Sequence, residues 1–240
     1  MKTLQKTVLL LSATSLMLLG TSCTSEDGNN ENLRIKASSN NTFNQSKQAS
    51  KNVNNAEVTI SEFKLNITEI ELEFDDKYQD AMNDSIISSD DEIELRGPFQ
   101  LDLLTGTSNI TTLELPKADY EEIEFEFDKN TDESSDMFNK TVVVKGTINT
   151  VPFIFWHDFE EEIEVDFENE ATDIIVSEGL TEVTINFDLD AMLSQVDLSS
   201  AIDGNGDGTI EISPEDVDGN KDLADQLKEK LKQTAELLDD

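Results

Sequence analysis

Acidic and apolar residues alternate strictly along several segments, and this alternation constrains the fold more than any other feature. In YEEIEFEFD, Ile123, Phe125 and Phe127 are separated by glutamates. Successive side chains of a strand point to opposite faces, so this period predicts half-buried antiparallel strands. The same alternation recurs at 70–74, 161–167 and 182–189, and further strands are predicted at 57–67, 93–96, 99–104, 110–115, 141–150 and 152–157. Many short strands separated by turns predict an all-β domain over residues 57–200, an antiparallel β-sandwich or a partly open barrel.

The alternation changes phase twice within the first long strand region. Apolar residues fall on even numbers in 57–60, on odd numbers in 62–67 and on even numbers again in 70–74. A regular strand cannot change the face it buries, because its side chains have a period of two. Bulges or breaks are therefore predicted near Ser61–Glu62 and Thr68–Glu69.

The chain begins MKTLQKTVLLLSATSLMLLGTSC, which has the features of a secretory signal. Lys2 and Lys6 form a basic start, and the apolar run Val8–Leu19 is shorter than the about 20 residues of a membrane-spanning helix. Cys23 is the only cysteine in the chain, so no internal disulfide can use it. Residues 1–22 are predicted to be a lipoprotein signal peptide, with Cys23 as the lipidated N-terminus. The alternative is an ordinary cleaved signal with a stray cysteine near the cut.

The residues behind Cys23 bear on where the lipid anchor lies. Ser25, Glu26 and Asp27 resemble the surface-export signal of Bacteroidetes-type lipoproteins. The anchor is predicted to lie in the bacterial outer membrane, with the protein facing the cell surface or the periplasm. Acyl chains contribute about 0.8 kcal/mol per buried CH₂, so two or three of them hold a protein to a bilayer.

Composition excludes some partners and predicts a tether. The formal net charge of −36 argues against nucleic acid, whose binding depends on lysine and arginine neutralising phosphates. It argues equally against binding a bare anionic lipid surface without an anchor. Residues 23–56 are rich in asparagine and serine and too polar to form a core, so they are predicted to be a flexible tether, in which Leu33–Ala37 can add a short strand.

Near the C-terminus, DGNGDGTIEISP has the spacing of the calcium loop of an EF-hand. Counting from Asp203, the oxygen ligands at positions one, three, five and seven are Asp203, Asn205, Asp207 and the carbonyl of Thr209, and Gly208 supplies the sharp turn at position six. Position twelve, which normally gives a bidentate carboxylate, is Pro214.

A second acidic series follows and can complete the first. Its candidate ligands are Asp216, Asp218, Asn220 and Asp222, and Glu215 or Asp216 can replace the missing carboxylate of the first series if the backbone slips by one residue. Together the two series predict a structural calcium site, while the alternative is an acidic turn that binds nothing. Residues 201–240 are then predicted to end in one helix that begins at an Asp222 cap and whose apolar side carries Leu223, Leu227, Leu231 and Leu238.

No catalytic motif accompanies these features. His157 is the only histidine, and neither a G-x-S-x-G sequence nor a second cysteine is present. It is predicted to be a strand residue beside a packed Trp156 rather than a catalytic group. The acidic rows on the strands suit either a solvated outer face or, as an alternative, a surface that binds cations or mineral.

Several segments together resemble a family of uncharacterised bacterial lipoproteins built on a domain of unknown function. The segments are FKLNITEIELEF, GPFQLDLL, LELPKADYEEIEFEF and VTINFDLDAML, within residues 57–192. The family pattern LPxgxYxxIxf maps to Leu115–Phe127, but Ala118–Asp119 stands where many relatives have a glycine before the tyrosine. The DGNGDG motif also recurs in close relatives. The resemblance implies a β-sandwich in the cell envelope and brings no known activity.

The sequence therefore predicts an envelope lipoprotein with a binding or structural role and no enzymatic activity, whose partner is an unidentified envelope protein or glycan. A carbohydrate-binding or carbohydrate-processing component is the alternative. One tryptophan and two tyrosines offer few aromatic platforms for sugars.

Overall fold

The structure is a computed structural model that describes residues 32–40, 51–53, 56–74, 92–104, 106–115, 118–166, 174–176 and 179–239. These residues belong to one compact unit, Glu31–Asp240. The predicted signal peptide 1–22 and the predicted lipidation site Cys23 lie outside the described residues.

Strands dominate the described chain, and two α-helices lie in its C-terminal third. The strands are β1 (Leu33–Asn40), β2 (Lys51–Val53), β3 (Ala56–Phe74), β4 (Glu92–Asp102), β5 (Ser108–Leu113), β6 (Asp119–Phe127), β7 (Val142–Ile148), β8 (Val151–His157), β9 (Glu161–Asp166), β10 (Ile174–Ile175), β11 (Thr181–Asp188), β12 (Ile210–Ile212) and β13 (Ala235–Asp239). The helices are α1 (Leu189–Ser194) and α2 (Lys221–Gln233).

The strands form two sheets that bury one apolar core between them. Sheet A has the order β13-β11-β1-β5, and sheet B has β10-β6-β3-β7-β8-β12 with β2 and β4 on β3 and β9 on β6. The buried core joins side chains of both sheets, for example Ile35 and Phe187 of sheet A with Phe63 and Phe125 of sheet B. The predicted all-β sandwich is confirmed. Two pairings, β1 with β11 and β8 with β12, are parallel rather than antiparallel as predicted.

The two predicted bulges are present in β3, which runs unbroken through both. The register of β3 against β7 shifts between Ile60 and Glu62, and its register against β4 shifts between Ile67 and Glu69. Each extra residue turns the apolar side chains back towards the core, so β3 buries one face along its length.

The tether prediction is wrong for residues 51–53, which form β2 on β3, and for residues 33–40. Residues 33–40 form β1, a central strand of sheet A, and Leu33, Ile35 and Ala37 are fully buried. The prediction that Leu33–Ala37 adds a strand is confirmed. Burial of three apolar side chains and pairing on both edges stabilise this segment although its surroundings in the sequence are polar.

The C-terminal helix is confirmed, but its predicted ends are wrong. Asn220 rather than Asp222 is the N-cap residue, and Asp222 lies in the first turn of α2. The helix ends at Gln233, and Leu238 belongs to β13, which pairs with the edge of β11. Unpaired backbone groups at that edge give the last residues an alternative to helix.

Candidate metal-binding loop

The loop of residues 203–209 lies between α1 and β12, and its end is fixed by sheet B. β12 runs parallel to β8, where it buries Ile210 and Ile212. α2 follows and packs its apolar side, including Leu223 and Leu227, into the core. The candidate ligands therefore lie on a short loop that is followed by a paired strand, β12, and then by a packed helix, α2.

The carboxylate of Asp203 organises this loop. Its Oδ1 accepts backbone hydrogen bonds from Gly206 (2.7 Å) and Asp207 (3.1 Å), and its Oδ2 accepts one from Gly208 (2.9 Å). The chain can wrap around the carboxylate because Gly206 and Gly208 have φ of 78° and 93°, values that favour glycine. The predicted first ligand and the predicted turn glycine therefore occupy the positions that the spacing indicates.

Asn205 and Asp207 continue the same turn. Asn205 Oδ1 accepts from the backbone N–H of Asp207 (2.8 Å), and Asp207 Oδ1 accepts from that of Thr209 (2.9 Å). The Asn205 amide also donates to Asp207 Oδ2, at 3.2 Å. Carboxylate and amide oxygens each have two lone pairs, so these bonds leave acceptor capacity on the side-chain oxygens of Asn205 and Asp207.

Asp218 and Asn220 have a structural role that the sequence did not reveal. Asp218 is 3% exposed, and its two oxygens accept from the backbone of Asn205 (3.0 Å) and of Glu211 (2.6 Å). The Asn220 side chain accepts from Ile202 N and donates to the carbonyls of Ile202 and Glu211. Both side chains tie the loop to the segment before α2, and their membership of a second ligand series stays a prediction.

The remaining predicted ligands, Glu215, Asp216 and Asp222, lie outside the loop. Asp216, whose φ is 59°, accepts a hydrogen bond from the backbone of Lys221 (2.9 Å) at the start of α2. Glu215 is exposed, and Asp222 lies within α2. Among the hydrogen bonds of the described residues, none links these three side chains to the loop. The loop itself presents the first series, Asp203, Asn205, Asp207 and the carbonyl of Thr209, and the ligand role of the other predicted residues stays a prediction.

Glu211 connects the loop to the only tryptophan. Its Oε1 accepts from the indole N–H of Trp156 (3.1 Å) and from the hydroxyl of Ser213 (2.8 Å). Trp156 is 9% exposed and packs with Met137 and Val143 in a small apolar cluster separate from the main core. His157, the next residue, ends β8 and is buried, as the sequence predicts.

A second acidic region covers the outer face of sheet B. This face carries two groups of three carboxylates, and within each group the carboxylate oxygens lie within 4.8 Å of one another. One group is Glu69, Glu71 and Glu94, and the other is Glu122, Glu124 and Glu164. Burial, reinforced by Glu162, Glu71 and other neighbouring carboxylates, raises the pKa of Glu124 to about 7. This mutual repulsion is what strand pairing of glutamates produces without any ion.

The comparisons with known proteins add no relative. The chain matches no protein-family model, and searches of curated proteins and of solved structures returned no match. The resemblance of residues 57–192 to a lipoprotein family therefore stays a prediction from the sequence. Within the described residues, neither helix is long and apolar enough to cross a membrane.

Proposed function

We propose that the protein is a lipid-anchored envelope protein with a binding or structural role, and that a structural calcium ion stabilises its C-terminal loop. One observation carries the calcium proposal: the chain wraps around the Asp203 carboxylate and leaves the oxygens of Asn205 and Asp207 exposed beside it. Calcium takes hard oxygen ligands from such loops at six to eight positions, the rest of which water can fill.

The structural rather than sensory role follows from what surrounds the loop. A sensor EF-hand opens a pair of helices, whereas this loop leads into β12 on sheet B. Residues Asp203, Asn205 and Asp207 with the carbonyl of Thr209 would hold the ion. The ion would neutralise two carboxylates and fix the connection between α1 and β12.

The calcium proposal is tested by thermal unfolding with calcium and with chelator. At a calcium concentration of 100 times the Kd, the folded state gains about 2.7 kcal/mol, which raises Tm by roughly 5–10 °C. Asp203→Ala with Asp207→Ala is expected to abolish that rise. The matched control, Glu71→Gln with Glu124→Gln, removes two carboxylates from sheet B and is expected to keep it. An equal rise in both double variants, or none in the parent, contradicts the site.

The sole tryptophan gives an independent assay. Trp156 is hydrogen-bonded to Glu211, two residues beyond Thr209, and it can transfer excitation energy to a terbium ion bound in the loop. We expect terbium emission on excitation of tryptophan, its displacement by calcium and its loss in the Asp203→Ala, Asp207→Ala variant. Emission that survives in that variant places the ion elsewhere.

The anchor proposal rests on the N-terminal sequence and is tested separately. Mass spectrometry of the protein from its native membrane is expected to show a diacylated or triacylated Cys23 at the N-terminus. A Cys23→Ala variant is expected to appear in the soluble fraction. An unmodified cysteine, or an uncleaved N-terminus, contradicts the proposal.

The described aromatic residues do not favour the carbohydrate alternative. Trp156 and Tyr120 are buried, with exposures of 9% and 0%, so neither presents a flat ring to a sugar. The partner is therefore sought first among envelope proteins, by affinity capture with the lipidated protein. Calcium-dependent binding on a glycan array would reverse this order.

A further inference from the structure

His157 is buried at the contact between sheet B and α2, and its ring lacks the hydrogen bonds that a buried imidazole normally makes. The residue is 8% exposed, and within the described residues neither ring nitrogen has a hydrogen-bond partner. The ring packs against Phe159, with centroids 5.7 Å apart. Buried polar groups are nearly always paired, so this exception requires an explanation.

Charged groups from the segment after β8 and from α2 face the ring. Asp158, which follows β8, has Oδ1 3.6 Å from Nδ1, and Asp225 of α2 has Oδ1 3.6 Å from Nε2. Both distances are too long for hydrogen bonds. Lys228, one turn further along α2, repels a positive charge on the ring, and it is itself paired with Glu229 at 3.1 Å and with Glu161 of β9 at 3.6 Å.

These surroundings disfavour a charged imidazole in the docked state. Desolvation by burial is the largest effect and lowers the pKa of His157, and the Lys228 charge acts in the same direction, while Asp225 and Asp158 offset part of the shift. When α2 moves away, the ring meets water and regains its ordinary pKa, near 6.5. Above that pH the ring is neutral in both states. As the pH falls below it, the released state takes up the proton first, so acid weakens docking.

We propose that His157 is an acid-sensitive latch for the C-terminal segment: protonation of its buried ring releases α2 from β8 and loosens β13 from the edge of β11. The helix is continuous with β13, which forms the outer edge of sheet A next to β11. Release therefore uncovers unpaired backbone groups along β11, the kind of edge to which another strand can add.

The titration of His157 tests the electrostatic basis directly. The protein has a single histidine, so one imidazole C–H signal in the NMR spectrum reports it without ambiguity. Its pKa is expected below that of an unfolded peptide. Asp225→Asn is expected to lower it further, and Lys228→Gln to raise it. A pKa at or above the peptide value overturns the proposal even if every variant fails to fold.

Amide exchange tests whether α2 is the element released. The quantity measured is the ratio of the opening constant of α2 amides in the parent to that in His157→Gln at the same pH. This ratio is expected to rise several-fold as the pH is lowered from about 7.5 to about 5, while the same ratio for β3 amides stays constant. A ratio that is independent of pH shows that His157 only packs, and a change shared by β3 shows global unfolding. Either result overturns the latch.

Discussion

The outer face of sheet B and the C-terminal loop are both acidic, yet their carboxylates have opposite surroundings. On the sheet, Glu71 lies directly across from Glu124, and the burial of Glu124 and its acidic neighbours raise its pKa to about 7. Asp203 in the loop and Asp218 in the segment before α2 each accept hydrogen bonds from backbone N–H groups. The same side-chain chemistry is destabilising in one place and stabilising in the other.

The availability of backbone N–H groups explains the difference. In a sheet, the N–H groups are used by the strand ladder, so a carboxylate on the face meets only its neighbours. Arg96 compensates part of this face through ion pairs with Glu69 (3.2 Å) and Glu94 (2.7 Å). In a loop, the N–H groups have no ladder to join, and a carboxylate can collect several of them. Acid content alone therefore does not predict where this chain is strained.

Removal of the buried Asp218 carboxylate, which holds the loop from the segment before α2, is expected to have the largest effect. Asp218→Ala leaves the N–H groups of Asn205 and Glu211 without their acceptor, at a cost of about 3 kcal/mol in the free energy of unfolding. Urea unfolding in the presence of chelator measures it. The control, Asp207→Ala, removes an exposed carboxylate of the loop itself and is expected to cost less than about 1 kcal/mol. Equal losses would show that burial does not distinguish the two.

A methyl group at Gly204, where the loop contacts the backbone of Asp218, is expected to have the next largest effect. A Cβ on Gly204 would lie 2.3 Å from the carbonyl oxygen of Asp218, so the backbones must separate. Gly204→Ala is expected to cost about 2 kcal/mol by urea unfolding. Asn205→Ala, at the neighbouring exposed position, serves as the control. A tolerated Gly204→Ala would mean that the contact with Asp218 is loose.

The features that the sequence predicts correctly are those whose signal lies in a few consecutive residues. Alternation identified the strands, and the phase changes at Ser61–Glu62 and Thr68–Glu69 located the bulges of β3, because each signal is contained in a few consecutive residues. The central place of β1 was not predictable in this way. Its parallel partner, β11, begins at Thr181, and no local pattern links the two segments.

The same division holds for the candidate site. The spacing from Asp203 to Gly208 predicts the turn that the structure contains, since every hydrogen bond of that turn lies within five residues. The spacing of Asp218 fits a second loop, but the hydrogen bonds of its carboxylate reach back to Asn205 and Glu211, which no local pattern indicates. The end of α2 escaped prediction because the edge of β11 recruits Leu238.

A smaller effect is expected on the sheet, and it depends on pH. The folded pKa of Glu124, about 7, lies above its ordinary 4.5, so the protonated form stabilises the fold below about 4.5 and this contribution is lost as the pH rises through 7. Glu124→Gln keeps a neutral side chain and is expected to gain up to about 1 kcal/mol at pH 7.5 after solvent screening, and nothing near pH 4. Urea unfolding of both proteins across this range measures the difference. A difference that is constant with pH would assign the gain to packing.

The smallest expected effect is that of salt, which should act on one region and hardly on the other. Sodium chloride screens exposed like charges, so raising it from about 0.05 M to about 0.5 M is expected to stabilise the parent by about 0.5 kcal/mol. Glu71→Gln with Glu124→Gln should remove much of this gain, because the two residues are opposite each other on β3 and β6. Glu215→Gln with Asp222→Asn makes the same change in charge beside the loop and should leave the gain intact. If both double variants lose the salt response equally, net charge rather than strand pairing sets the repulsion, and the contrast between the two acidic regions disappears.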